Sequence, residues 1–467
     1  MEHAVARGSL GTSFGTPVSR RPGGTADHRI EVASDATSPF VWPPPASTRV
    51  RQLQVWIGLA TIVGAVTGLG VTVLHLVIQE IAWGPISFRD SWWVPLLALI
   101  GLVLSSWFVR LARDGSTETT EAYVRVFHDP ESRIRLRSVP FRLAAAASTI
   151  SLGGSMGLEG PSIYLGATIG DVAERRFRRL FTAEDSKMLL VAGAAAGIAA
   201  IFKAPVTGIL FALEVPYRDD VARHALVPAM FAAATSYLVF VAFTGTKPFF
   251  PVTPVPLRFS DLLVALAVGV ACGLAARVFV SLYRWGEHLA RRLPFWARPL
   301  VSGAVLAAIG YLALAIYHLP LPLGPGYNGI LRAARGELSA GLLLLLLLLK
   351  MLSTSATASG NGVGGLFFPS VMMGAALGGA IGHAVPGSPS LFAVVGIAAF
   401  LGAGYKVPLA GVAFVAETTG APSYIIPGLL AAAVGYLAGG RASISGHQRF
   451  RRRSDVSSRL DVTSPTR

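Results

Sequence analysis

Ten apolar runs occupy the chain between about Val55 and Leu437. They are Val55–Val77, Trp92–Leu111, Leu143–Met156, Leu189–Leu213, Ala225–Phe243, Leu262–Leu282, Leu300–Tyr317, Leu342–Met351, Gly364–Ala384 and Phe392–Ala416. A simple transmembrane helix needs about 20 apolar residues. Several of these runs are shorter, and two are broken internally, by Lys203-Ala204-Pro205 and by Lys406-Val407-Pro408. A broken helix in lipid frees backbone groups that must be satisfied, so it is tolerated only where it is buried in protein or lines a cavity. In transporters, half-helices of this kind mark the substrate site, with their N-termini turned toward an anion. The pattern predicts an all-α polytopic membrane protein of tilted and broken helices.

The breaks recur. Residues 203–214 read KAPVTGILFALE and residues 406–417 read KVPLAGVAFVAE, both K-x-P-x-x-G-x-x-F-x-x-E at an offset of 203. Just upstream, residues 161–170 read PSIYLGATIG and residues 369–378 read PSVMMGAALG, both P-S-x-x-x-G-A-x-x-G at an offset of 208. Helix contact in membranes enriches small residues, which accounts for the glycines but not for the paired Lys-x-Pro, Phe and Glu. The chain therefore reads as two homologous repeats, residues 51–250 and 251–445, flanked by tails of residues 1–50 and 446–467. The sequence pattern alone leaves parallel and inverted arrangements open.

Composition supports the bilayer: 52% of the 467 residues are hydrophobic and 14% charged, against about 25% charged in soluble domains. The mean hydropathy is +0.57. The net charge of +15 would ordinarily suggest nucleic acid, but the arginines cluster at the ends and in short loops, such as Arg175–Arg179, Arg291-Arg292 and Arg449–Arg453. That is the positive-inside distribution. It places both termini in the cytoplasm, in a protein of the plasma (inner) membrane, and argues against a nucleic-acid partner. Residues 1–50 read as a disordered tail rich in Pro, Ser, Thr, Gly and Arg, with no apolar stretch resembling a signal peptide. Cys272 is the sole cysteine and the nine histidines are scattered, so neither an internal disulfide nor a metal cluster is expected. No His-Glu-x-x-His, Gly-x-Ser-x-Gly or paired intramembrane Asp points to an enzyme, and no cofactor is expected.

A desolvated anion needs replacement donors, and amides at helix N-termini supply them with help from the helix dipole. The contacts must stay weak enough for release. Three segments fit. Asp114-Gly115-Ser116-Thr117 leads into Glu118-Thr119-Thr120-Glu121, which reads as a helix cap with acids in the first turn. Gly157-Leu158-Glu159-Gly160-Pro161-Ser162 places a carboxylate at membrane depth, where an ionisable group is functional by default. Gly364-Gly365-Leu366-Phe367-Phe368-Pro369-Ser370 holds the equivalent place in the second repeat, with Phe367 opposite Glu159. The structural alternatives are an ordinary capped helix for the first, a surface loop for the second and a tight helical turn for the third.

At these segments the chain resembles the CLC family of chloride channels and chloride/proton antiporters, over about residues 50–445. The family's Gly-Lys/Arg-Glu-Gly-Pro is similar to Gly157–Pro161 with Leu158 in place of the basic residue. Its Gly-x-Phe-x-Pro matches Gly365–Pro369 in full. Its Gly-Ser-Gly-Ile-Pro survives as Gly115-Ser116. The resemblance implies inverted-topology repeats, a homodimer with one pore per subunit, and chloride, with protons in the antiporters, as the transported ligand. It implies that Glu159 is the gate, that the Ser116 hydroxyl and the Leu366 and Phe367 amides bind the central chloride, that the Gly160 amide lies near an outer site, and that Arg142 raises the local potential. Two departures follow. Val215 stands where the antiporters carry an inward-facing glutamate, as in the passive channels. Ile444 stands where the central-site tyrosine is expected, and whether Ser443 or Ser445 replaces that hydroxyl is open. Retention of Ser116 favours chloride over nitrate and fluoride. Val215 favours a passive channel, with a proton-coupled exchanger as the alternative.

Overall fold

The structure, a computed structural model, describes residues 46–129, 131–180, 187–250, 252, 257–385 and 389–451. Residues 1–49 and 50–467 form two separate units, and the second is described below. The expected N-terminal tail lies outside the described residues up to Ala46, as do residues 452–467 and most of the repeat boundary at 251–256.

The described residues are helical, with no strand among them and two isolated β-bridges. Six helical segments are long and apolar enough to cross a bilayer: Gln54–Ser87, Val94–Leu111, Arg223–Thr244, Phe259–Ala290, Ala297–Tyr317 and Ala340–Ser359. Their outward faces carry exposed apolar side chains such as Ile62, Trp107, Leu238 and Leu263, which water would penalise and lipid does not. Shorter apolar helices, Met188–Phe202, Pro205–Glu214, Phe367–Gly382 and Pro389–Gly404, lie largely buried among them.

The apolar run 189–213 is two helices. Lys203 ends the first in the left-handed region at φ 53°, and Pro205 opens the second. Lys406 does the same at φ 62° before Pro408. Each lysine bends back to a carbonyl on the helix that follows its broken pair: Lys203 Nζ donates to Thr244 O and Lys406 Nζ to Tyr436 O, both at 3.0 Å. The break thus satisfies its own charge, which explains the paired Lys-x-Pro.

The two repeats meet by exchange of equivalent contacts. Glu214 accepts from the N–H groups of Leu409 and Ala410 at 3.2 and 2.9 Å. Glu417, its repeat partner, accepts from those of Val206 and Thr207 at 2.9 and 2.7 Å, and from Thr207 Oγ1 at 2.7 Å. Each helix therefore ends on a carboxylate that caps the N-terminus of the other, where amides lack intrahelical partners. Upstream, Gly157 N–H donates to Gly365 O at 2.9 Å and Gly365 N–H to Gly157 O at 2.8 Å. Residue i on residue j and j on i is the mark of a two-fold relation, as inverted repeats have about an axis in the membrane plane. Close approach inside each repeat is equally matched. A methyl group on Gly166 would overlap Gly193 O, and one on Gly374 would overlap Gly396 O.

Two sequence expectations change. The helix expected to open at Glu118–Glu121, after the Asp114–Thr117 loop, begins at Thr120, with Thr119 at its cap and no capping side-chain bond. The reason is Arg142, whose Nη2 donates to Asp114 Oδ2 at 2.6 Å and whose Nη1 donates to Glu118 O at 2.9 Å, holding residues 114–118 out of helical geometry. The C-terminal tail, expected from residue 446, is packed as far as Arg451. Tyr217 and Arg449 form a parallel bridge, and Gln448 Nε2 donates to both Val215 O and Tyr405 O at 2.9 Å.

Replacing Glu417 by Ala strips partners from two helix-start amides and a hydroxyl. The expected cost is roughly 1–3 kcal/mol, seen as a lower thermal midpoint in detergent, with a smaller loss for Glu417→Gln. Glu214→Ala is expected to do the same through Leu409 and Ala410. Unchanged midpoints in both variants would show that the exchange carries no stability.

Candidate anion site at the meeting of the two repeats

Glu159 begins the helix Glu159–Arg176, and Phe367 begins the helix Phe367–Gly382. The Gly157–Gly365 bridge sets these two helix starts against each other. Within each, a serine locks the first turn: Ser162 Oγ donates to Leu158 O and Ser370 Oγ to Leu366 O, both at 2.8 Å. The paired Pro-Ser of the sequence repeat is this turn.

Glu159 is 1% exposed. Its Oε1 accepts from the N–H of Phe367 at 2.7 Å and of Phe368 at 3.2 Å. Among the described residues its Oε2 has no hydrogen-bond partner. A methyl group on Gly365 would overlap Oε1 and one on Gly157 would overlap Oε2, so both glycines are required for the carboxylate to fit. A buried carboxylate is costly unless hydrogen-bonded. Here the donors are two amides at a helix start, where the dipole also favours negative charge. The carboxylate is an anion lodged in an anion site.

Aromatic rings enclose the Phe367–Phe368 step. Phe211 and Phe414, the matched phenylalanines of the repeat, lie at 5.4 and 5.1 Å from Phe367, and Phe202 at 4.8 Å. On the other side Tyr327 meets Phe368 edge-on at 4.5 Å. Two cavities flank this cluster. One of about 770 Å³ is lined by Lys203, Glu80, His75 and Tyr327. The other, of about 610 Å³, is lined by Gly365, Leu366, Tyr405, Ile444, Ser116 and Thr119.

A profile of the family described as voltage gated chloride channel matches residues 100–440. The chain belongs to this family, the CLC proteins. It is 26% identical over 386 residues to the uncharacterized protein MJ0305 of Methanocaldococcus jannaschii, covering 82% of this chain and 92% of that one. It is 30% identical over 305 residues to the H(+)/Cl(-) exchange transporter ClcA of Salmonella paratyphi A, covering 62% of this chain and 63% of the transporter. The crystal structure of a CLC-type fluoride/proton antiporter superposes with a TM-score of 0.75 at 25% identity, over 85% of this chain and 98% of that one. The chain is thus an integral membrane protein of a family of anion transporters.

Against the CLC pattern, Glu159, Gly160, Leu366 and Phe367 are brought together with the motif residues Gly157, Pro161, Gly365 and Pro369. Ser116 is half-buried on the wall of the Tyr405 cavity, and its Oγ accepts from Glu118 N–H at 3.2 Å. The hydroxyl nearest the paired glycines is that of Thr119, which donates to Gly364 O at 3.0 Å and blocks any side chain on Gly160. Ser443 donates to Gln448 Oε1 at 2.5 Å and Ser445 to Glu121 Oε2 at 3.1 Å, so each hydroxyl proton is already engaged. Ile444 lines the cavity as an apolar wall. The phenol of Tyr405 sits beside the Leu366 amide, its ring 6.1 Å from Phe367 and 5.6 Å from Phe211. Lys350, fully buried, donates to Pro322 O and Gly324 O at 3.1 and 2.7 Å. Sequence reading passed over Thr119, Tyr405 and Lys350. A lysine ending an eight-leucine run was the one local signal.

Gly365→Ala is expected to expel the Glu159 carboxylate from the two amides. Anion flux in liposomes should then respond little to Glu159→Gln in the Gly365→Ala background, though strongly in the parent. Equal responses in both backgrounds would show that the glycine does not hold the carboxylate in place.

Proposed function

We propose that the chain carries chloride between the Lys203 cavity and the Tyr405 cavity, and that the Glu159 carboxylate gates the path by competing with the anion for the Phe367 and Phe368 amides. The observation that carries this reading is the double hydrogen bond to Glu159 Oε1. An anion and a carboxylate cannot hold the same donors at once. Protonated Glu159 loses its claim on N–H donors, so the path opens as the pH falls. The Leu366 amide and the Tyr405 phenol stand ready to replace water around a chloride next to the gate, with Ser116 further along the wall. The Gly160 amide and the Arg142 charge are read, by family resemblance, as supporting groups. The assembly is a homodimer in the inner membrane with both termini cytoplasmic, and it needs no cofactor. We read it as a transporter and not an enzyme.

Passive conduction is the first reading of mode. Val215 is fully buried where a second carboxylate would serve a proton route, and neighbouring Glu214 is committed to the amides of Leu409 and Ala410. Proton-coupled exchange is the second, favoured by the exchange activity in the name of the Salmonella relative and by Glu118 and Glu121 on the wall of the Tyr405 cavity. Chloride over fluoride rests on the resemblance at Ser116, and the matched fluoride/proton antiporter makes the comparison worth measuring.

In liposomes, Glu159→Gln is expected to conduct chloride at a rate that no longer changes with pH, whereas the parent accelerates as pH falls. Persistent pH dependence in the variant would remove Glu159 from the gate. An imposed chloride gradient is expected to move no protons uphill; uphill proton movement replaces the channel with the exchanger. Tyr405→Phe is expected to weaken chloride affinity by several-fold, in keeping with loss of one hydroxyl hydrogen bond of about 0.5–1.5 kcal/mol.

A further inference from the structure

A third cavity, of about 630 Å³, lies behind the loop that carries Ser116. Its walls include Arg125, Arg133, Arg135 and Arg142, with Ser138 and Tyr164. The acids on the same walls are Asp114 and Glu118, so the lining carries an excess of two positive charges. Both acids are already engaged, Asp114 by Arg142 at 2.6 Å and Glu118 by Arg125 at 2.9 Å, and behind the lining the buried Asp171 pairs with Arg133 at 3.8 Å and with Arg175. Arg142 is 3% exposed, its guanidinium lies 4.8 Å over the Tyr164 ring, and its Nε has no hydrogen-bond partner among the described residues. A buried guanidinium N–H without an acceptor is uncommon, and a ligand in the cavity would reach this one only after a shift of the Arg142 side chain. Next to the cavity, Arg175 donates to Ile134 O at 2.9 Å, and Arg175, Arg176, Arg178 and Arg179 continue the basic surface.

We propose that this cavity is a binding site for a phosphate-type oxyanion. Forked guanidinium donors match the geometry of ionised phosphate oxygens, and a polar cavity of this size takes a phosphomonoester with its water. Ser138 adds a hydroxyl. The positive-inside distribution puts the site on the cytoplasmic side, so the phosphate is either free in solution or the headgroup of an anionic lipid. The site does not rest on the chloride reading. Its position gives it a consequence for transport: Asp114, Ser116 and Glu118 line both this cavity and the Tyr405 cavity, and Arg142 ties that shared wall through Asp114 and Glu118 O. An oxyanion competes with Asp114 for Arg142, so occupancy loosens the wall on which Ser116 sits.

The test uses the full chain. Calorimetric titration with inorganic phosphate and pyrophosphate, in detergent at fixed chloride, is expected to show saturable binding that the Arg133→Gln/Arg135→Gln pair weakens by about tenfold or more and that Glu159→Gln leaves alone. A second arm compares chloride flux in phosphatidylcholine vesicles with flux in vesicles that also contain phosphatidic acid, with and without internal phosphate. A flux change produced by internal phosphate alone assigns the free ion, one produced by the lipid alone assigns the headgroup, and either change is expected to vanish in the double variant. Arg135→Gln, at an exposed position, serves if the double variant does not fold, with a smaller loss in the same direction. Binding of equal strength in the parent and the variants, or no binding of phosphate, pyrophosphate or phosphatidic acid to the parent, overturns the proposal.

Discussion

Two backbone hydrogen bonds between Gly157 and Gly365 fix the centre of this molecule. Everything at the candidate site depends on how close that pair lets two helix starts come. A side chain at either glycine would fall where the Glu159 carboxylate lies. Without the bridge the Phe367 and Phe368 amides would have no reason to face Glu159, and a carboxylate 1% exposed would lack the donors that make its burial tolerable. The bridge also joins residues that the repeat makes equivalent, so the local contact and the global arrangement of the two halves are one constraint.

Charge inside the protein follows a common rule here: backbone groups, more than ion pairs, satisfy it. Lys203, Lys406 and Lys350 donate to carbonyls, while Glu159, Glu214 and Glu417 accept from amides at helix starts. Broken helices supply the amide partners at their second starts, while the carbonyls come from the last turns of the following helices and from the Pro322–Gly324 turn. The interruptions that shorten the apolar runs are therefore what make the buried carboxylates tolerable.

Much of this was legible in the chain itself. The all-helical membrane fold follows from the apolar runs, and the repeat follows from K-x-P-x-x-G-x-x-F-x-x-E written twice. The inverted sense of the repeats was legible only through family resemblance, because it lies in contacts between residues some 200 positions apart, such as Glu214 with Ala410. The exact start of that helix, at Thr120, was not legible because the residue that holds the preceding loop, Arg142, belongs to another helix. Thr119, Tyr405 and Lys350 went unmarked for a related reason. A single hydroxyl or ammonium carries no periodic signature, and only packing shows that it borders the pathway. Glu159 was legible because a carboxylate between glycines in an apolar region is anomalous by itself.

The two-fold exchange is broken at one pair. At Gly157 and Gly365 the halves agree, as they do at Ser162 and Ser370, but Glu159 faces Phe367. Two identical halves would set two like charges across this close contact, each wanting the amides of the other. One carboxylate and one phenyl ring remove that conflict and leave a single charge. On the proposed function, a path through this centre has a polarity that its scaffold lacks, because the carboxylate belongs to one repeat and the amides it covers belong to the other.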